Sequence, residues 1–171
     1  VETTETIPEE DHAWVARPLK KPEKTRWKMY FNRLANYATS RNWTVKLDAK
    51  EDACCPDEKK IWIKKGKRLP ETKVYILMHE LGHMLLFSRY GDYLDRAAEH
   101  KISKRSYAYV VYEIEEEIDA WRCGLDIGES MRVPINSRHY EMVKARYLST
   151  YLRFLLDRRL KSNPSRVITK K

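Results

Sequence analysis

In the middle of the chain stand His79-Glu80-Leu81-Gly82-His83, an H-E-x-x-H arrangement. Two histidines four apart on a helix lie one turn up on the same face, so both imidazoles reach a single ion, and zinc takes nitrogen and oxygen ligands of this kind in tetrahedral geometry. Glu80 sits beside them, placed to accept a proton from a metal-activated water without being a ligand itself. The chain has only 5 histidines, and chance assembly of the pattern is on the order of a percent. All three residues also interrupt a strongly apolar segment, where burial without partners is costly.

A catalytic zinc normally keeps three protein ligands and one position for water, so a third ligand is expected from another segment. The acidic cluster Glu113, Glu115, Glu116, Glu117 and Asp119, about thirty residues downstream, is its natural source. Helical spacing orders the candidates. Glu117 borders the apolar stripe, with Ile114 three before it and Ala120, Trp121 and Gly124 after it, and the small residues at 120 and 124 permit close approach of the metal helix. Glu115 lies on the opposite border, near Val111 and Ile118. Glu116 faces Tyr112, Glu113 and Cys123, further from the stripe. The order is therefore Glu117, Glu115, Glu113, with Asp119 a candidate hydrogen-bond partner of a ligand histidine. A donor to the developing oxyanion is also expected; Tyr107, Tyr109, Tyr112, His100 and His139 are the candidates, and sequence does not rank them.

These residues need elements to hold them. Trp27, Tyr30, Phe31, Leu34, Tyr37 and Ala38 recur at spacings of three and four and predict an amphipathic helix over 23–41. Trp43, Val45 and Leu47 alternate with polar residues, and Ile61-Trp62-Ile63 forms a second apolar run, so two strands are expected, joined by a loop at 52–58 that contains Pro56. The segment 72–90 is apolar nearly all round, which predicts a central helix ended by Gly91. After a mixed stretch at 92–106, Tyr107, Val110, Val111, Ile114, Ile118, Trp121 and Leu125 mark another helix ending near Gly128. A last one is expected over 137–160, with Tyr140, Val143, Tyr147, Leu148, Tyr151, Leu152 and Leu155 inward. The predicted fold class is α+β: a single, mostly helical domain over 23–161 with a small antiparallel or mixed sheet packed on the central helix and an added C-terminal helix. Residues 1–22, with five acids in the first eleven positions and then Pro18 and Pro22, are expected to form a flexible arm, and 162–171 a basic tail.

Ile61-Trp62-Ile63, the basic turn after it, Glu71 and Ile76-Leu77-Met78-His79-Glu80-Leu81-Gly82-His83 together resemble the ImmA/IrrE family of cytosolic zinc metallopeptidases. The likeness covers roughly residues 25–128. In that family a strand precedes the H-E-x-x-H helix, and a glutamate in an E-x-x-A context on a following helix completes the site; Glu117-Ile118-Asp119-Ala120 looks like that context. The resemblance implies a minimal zincin-like fold, a zinc cofactor held by His79, His83 and Glu117, Glu80 as the catalytic base, and a protein or peptide substrate that is a regulatory or DNA-associated protein. It also implies that substrate adds as a strand along an exposed edge at Ile61–Ile63. Trp121 departs from the family, which more often has Asn or Asp there, and the C-terminal helix lies outside the minimal core. The H-E-L-G-H core is shared with SprT-like and thermolysin-like zincins.

Composition narrows the setting. The chain has 171 residues, enough for one domain that builds its core without metal staples, so a metal here would serve function. Three cysteines without C-x-x-C spacing exclude a disulfide framework and a thiolate cage, and point to a reducing, cytoplasmic setting. No apolar run is long enough for a membrane span. The net charge of +9 is uneven: 17–28 holds six bases and one acid, 59–73 seven and one, 138–171 ten and two. Such patches serve either solubility or contact with nucleic acid. A nucleic-acid-associated SprT-like protease, or a zinc-containing binding protein without turnover, are thus the competing expectations.

Overall fold

The computed structural model describes residues 21–90, 101–103 and 106–162. Expectations for the N-terminal arm up to residue 20, for most of 92–106 with His100, and for the tail beyond 162 lie outside the described residues. Within them the fold is α+β, mostly helical, with one small mixed sheet.

Helix α1 (Lys21–Thr39) starts inside the segment expected to be an arm and buries the predicted stripe, with Leu34 and Ala38 fully inside and Trp27, Phe31 and Tyr37 packed around them. Asn42, at φ 63°, turns the chain out of the helix, a left-handed position that Asn tolerates well. Strand β1 (Thr44–Ala49) follows, then β2 (Ala53–Cys55) and β3 (Lys60–Lys64). The sheet order is β1-β3-β2, with β1 parallel and β2 antiparallel to β3. Val45, Cys54, Ile61 and Ile63 turn toward the helices, leaving Lys46, Lys60 and Trp62 on the opposite face.

Strand β2 corrects two expectations. The 52–58 segment is not all loop, because Ala53–Cys55 pairs with Lys60–Trp62. Three residues are too few to show an alternation, and their strand character comes from β3 beside them. Consequently Ile61–Ile63 is not an exposed edge: β3 is hydrogen-bonded on both sides and has no room for a further strand. Among the described residues the edges of the sheet are β1 and β2.

Helix α2 (Pro70–Tyr90) begins with proline at its first position, where the missing N–H costs nothing, and buries every residue from Val74 to Gly82. Helix α3 (Tyr107–Ser130) is capped by Ser106, whose hydroxyl accepts from the Tyr109 N–H at 3.1 Å. Its buried face coincides with the predicted apolar stripe only in its second half, where Trp121 is fully buried and Leu125 packs on the core. Tyr107 and Val111 are exposed, whereas Tyr109, Glu113, Ala120, Trp121, Gly124, Ile127 and Gly128 are buried, so a face of acids and small residues meets α2. A Cβ on Gly82 would run into the carbonyl oxygen of Ala120, and one on Gly124 into the carbonyl of Met78. The two backbones cross in contact.

Helix α4 (Ser137–Ser162) lies over this pair, with Asn136 Oδ1 accepting from the His139 N–H at 3.1 Å at its start. Tyr140, Val143 and Leu155 are buried as expected, but Leu152 is exposed. Two of the hydrogen-bonded joints that fix α4 reach α2 and the sheet. The Tyr75 hydroxyl donates to Glu71 (2.6 Å) and accepts from the Asn136 N–H (2.9 Å). At the other joint Asp52 accepts from the Lys64 N–H (2.7 Å), Arg68 (2.8 Å) and the Tyr147 hydroxyl (2.8 Å). Burial raises the Asp52 carboxyl, but these donors outweigh it and hold the group below the usual carboxylate range.

Two expectations follow. Gly124→Ala gains helix propensity but meets the Met78 carbonyl, so it should destabilise by about 1–3 kcal/mol and lower the melting temperature by several degrees, measured by circular dichroism. Asp52 is more acidic folded than unfolded, so its contribution is fully present above pH about 4 and lost as pH falls through the folded value. Asp52→Asn should therefore cost about 2–3 kcal/mol in urea melts at pH 7 and progressively less as pH falls through the folded value of Asp52.

Candidate metal centre

The contact between α2 and α3 carries a polar cluster at its middle. His79 and His83, one turn apart on α2, point toward α3, and Glu117 comes up between them. His79 Nε2 stands 3.3 Å from Glu117 Oε2, and His83 Nε2 stands 3.5 Å from Glu117 Oε1. These three side chains form the one group of potential metal ligands among the described residues, their donor atoms all within 4.8 Å of one another. A tetrahedral cation with bonds near 2.05 Å places neighbouring donors about 3.3 Å apart. The two imidazole-to-carboxylate spacings come close to that edge, each to a different oxygen of Glu117, and the donor set of two nitrogens and a carboxylate suits a divalent ion of the zinc type. The residues present fit such a group.

The electrostatics agree with that reading. Burial pushes the His79 imidazole down to about 4, so it is neutral, as ligation requires. For His83 burial acts in the same sense but is outweighed by Glu116 and Glu117, and the ring is held in its protonated form. Burial alone would raise Glu117; its hydrogen bonds with His79 and His83 reverse this and keep it a carboxylate. The proton on His83 thus supplies the positive charge that this pocket of acids calls for, and a divalent cation would take its place. Glu80 is 4% exposed, and burial lifts its carboxyl to about 8 against the opposing charge of His83. A cation between the imidazoles would bring it back toward the ionised form.

Of the ranked candidates, Glu117 joins the two histidines. Glu115 is exposed on the far side of α3, and Glu113, buried one turn before Glu117, lies outside the ligating group. Glu116, read from sequence as facing away, in fact stands 3.4 Å from His83 Nδ1. Adjacent helical positions are 100° apart, and a long glutamate side chain spans that offset; no spacing rule marks it in advance. Asp119 instead pairs with Arg122 at 2.7 Å. Of the oxyanion candidates, His139 is engaged by Glu71 (3.0 Å) and Thr72 (3.3 Å), eight residues or about 12 Å along α2 from His79. One hydroxyl that feels the charge of Glu80 belongs to Tyr147 on α4, which sequence reading placed only in the core. Cys54, on β2, also lies in the field of Glu80 and Glu116; burial first and those charges second push its thiol far up, so it stays protonated. No helix among the described residues is long and apolar enough to cross a membrane.

Glu117→Ala should reduce bound zinc, measured by atomic emission after dialysis, to a small fraction of the wild-type content, while Glu115→Ala leaves it unchanged. Glu116→Gln removes the negative partner of His83 and should weaken zinc binding about 10–100-fold in a chelator competition.

Comparison of the chain with protein-family models, with curated proteins and with solved structures finds no match.

Proposed function

We propose that this chain is a zinc-dependent endopeptidase of the ImmA/IrrE kind, acting on a specific regulatory or DNA-associated protein. The observation that carries this reading is the meeting of His79, His83 and Glu117 from two separate helices, with Glu80 buried on the histidine helix beside them. Structural histidines do not need a carboxylate equidistant from both rings.

A zinc ion held there would acidify a water and polarise a scissile carbonyl. The protein's own groups do the rest. Glu80 takes the proton of the attacking water on its carboxylate and returns it to the departing amine, a role for which its apolar setting and one-residue offset from His79 suit it. Glu116 holds His83 at Nδ1, the ring nitrogen that does not face Glu117, so the imidazole keeps its orientation toward the site. Substrate would pair with β2, not β3. Among the described residues β2 is bonded on one side only, it packs against α2, and Cys54 at its centre lies in the field of Glu80. An extended peptide added at that edge is guided past the general base by main-chain hydrogen bonds.

Glu80→Gln separates binding from turnover. It should retain zinc at the wild-type level and lose peptide hydrolysis by about 10²–10⁴-fold, assayed on quenched-fluorescence peptide pools and on unfolded protein. Stripping metal with phenanthroline should abolish the wild-type activity, and added zinc should restore it. Hydrolysis that survives the substitution or the chelator would contradict the proposal.

A further inference from the structure

The two ligand histidines are held by different physics. His83 has a carboxylate at each ring nitrogen. His79 directs Nε2 to Glu117, and its other nitrogen, Nδ1, is buried without a hydrogen-bond partner among the described residues. A ligand histidine normally gives that N–H to a carboxylate or carbonyl, which fixes the plane of the ring. Among the described residues nothing of the sort orients His79.

His83 meets the ring at a steep angle, and what lies flat against it is Trp121. The indole and the imidazole stack with centroids 4.3 Å apart and planes 16° from parallel. Trp121 is fully buried and comes four residues after Glu117, so one face of α3 delivers first a ligand and then, a turn later, a flat surface under another ligand. The indole is itself immobilised by α4: Tyr140 and Tyr147 meet it edge-on at 5.5 and 5.8 Å, and the Tyr140 hydroxyl donates to the Trp121 carbonyl at 2.7 Å. Resting on the proposed metal site, we infer that Trp121 is a positioning residue that sets the plane of His79 by stacking in place of the missing hydrogen bond, and that α4 acts on the metal through it. An imidazole that shares charge with a cation is electron-poor, and the electron-rich indole face favours that form over the free ring. The stack therefore strengthens when metal is bound. It also gives the C-terminal helix a part in the site that none of its described side chains plays as a ligand.

The test compares wild type, Trp121→Phe and Trp121→Leu, read by zinc affinity in a chelator competition and by the visible spectrum of the cobalt(II)-substituted protein, with folding followed by circular dichroism. Trp121→Leu should weaken zinc binding about 10–100-fold and change the cobalt bands, while Trp121→Phe, which keeps an aromatic face, recovers most of the affinity and a spectrum close to wild type. Where Trp121→Leu does not fold, Trp121→Met serves the same comparison. A folded variant without a ring that binds zinc as tightly as wild type, with an unchanged cobalt spectrum, overturns the inference. A wild type that takes up neither metal overturns the peptidase reading itself.

Discussion

Backbone contact between α2 and α3 is the constraint on which the site depends. Gly82 lies on the carbonyl of Ala120 and Gly124 on that of Met78, which brackets the stretch of α2 that carries His79. Only at that separation does a glutamate side chain on α3 reach between two imidazoles on α2. A helix pair packed through leucines would stand 8–10 Å apart, with an apolar layer where the acid now sits. The cost is visible in the composition of the interface: α3 turns Glu113 and Glu117 inward while Tyr107 and Val111 face out. Local hydrophobic preference is overridden by the geometry of the polar cluster.

Much of this was legible in the chain because periodicity and small residues carry physical meaning. The stripe from Trp27 to Ala38 and the continuous apolar run of α2 are burial patterns, and burial is what shapes a helix position. Ala120 and Gly124 marked the approach of two helices and, through it, Glu117. Strand β2 could not be read, since three residues gain their structure from hydrogen bonds to a neighbour; with it went the true edge of the sheet. The outward rotation of the first turns of α3 was hidden for a related reason. A helical wheel finds the apolar face, and here the buried face is partly acidic. Glu116 was set apart from the site, and Tyr147 assigned only to the core, because their parts depend on where long side chains end, not on spacing.

The layers around the site act on it in order. Asp52 joins the start of β2, the end of β3 and α4 through Lys64, Arg68 and Tyr147, and its charge is felt at His79 and Glu80. Tyr140 and Tyr147 hold Trp121, and Trp121 lies under His79. Residues from the sheet, from both central helices and from the C-terminal helix thus converge on one imidazole and one carboxylate. Among the described residues the bases of the sheet take no part in this cluster: Lys46, Lys60 and Lys64 lie on or beside its outward face.

X-ray absorption at the zinc K-edge of the zinc-loaded protein tests the central claim most directly. A cation held by His79, His83 and Glu117 gives one zinc per chain, with a first shell of nitrogen and oxygen alone at about 2.0–2.1 Å and the outer-shell scattering of two imidazoles. A chain that holds no stoichiometric zinc, or a shell containing sulfur at about 2.3 Å, would contradict it.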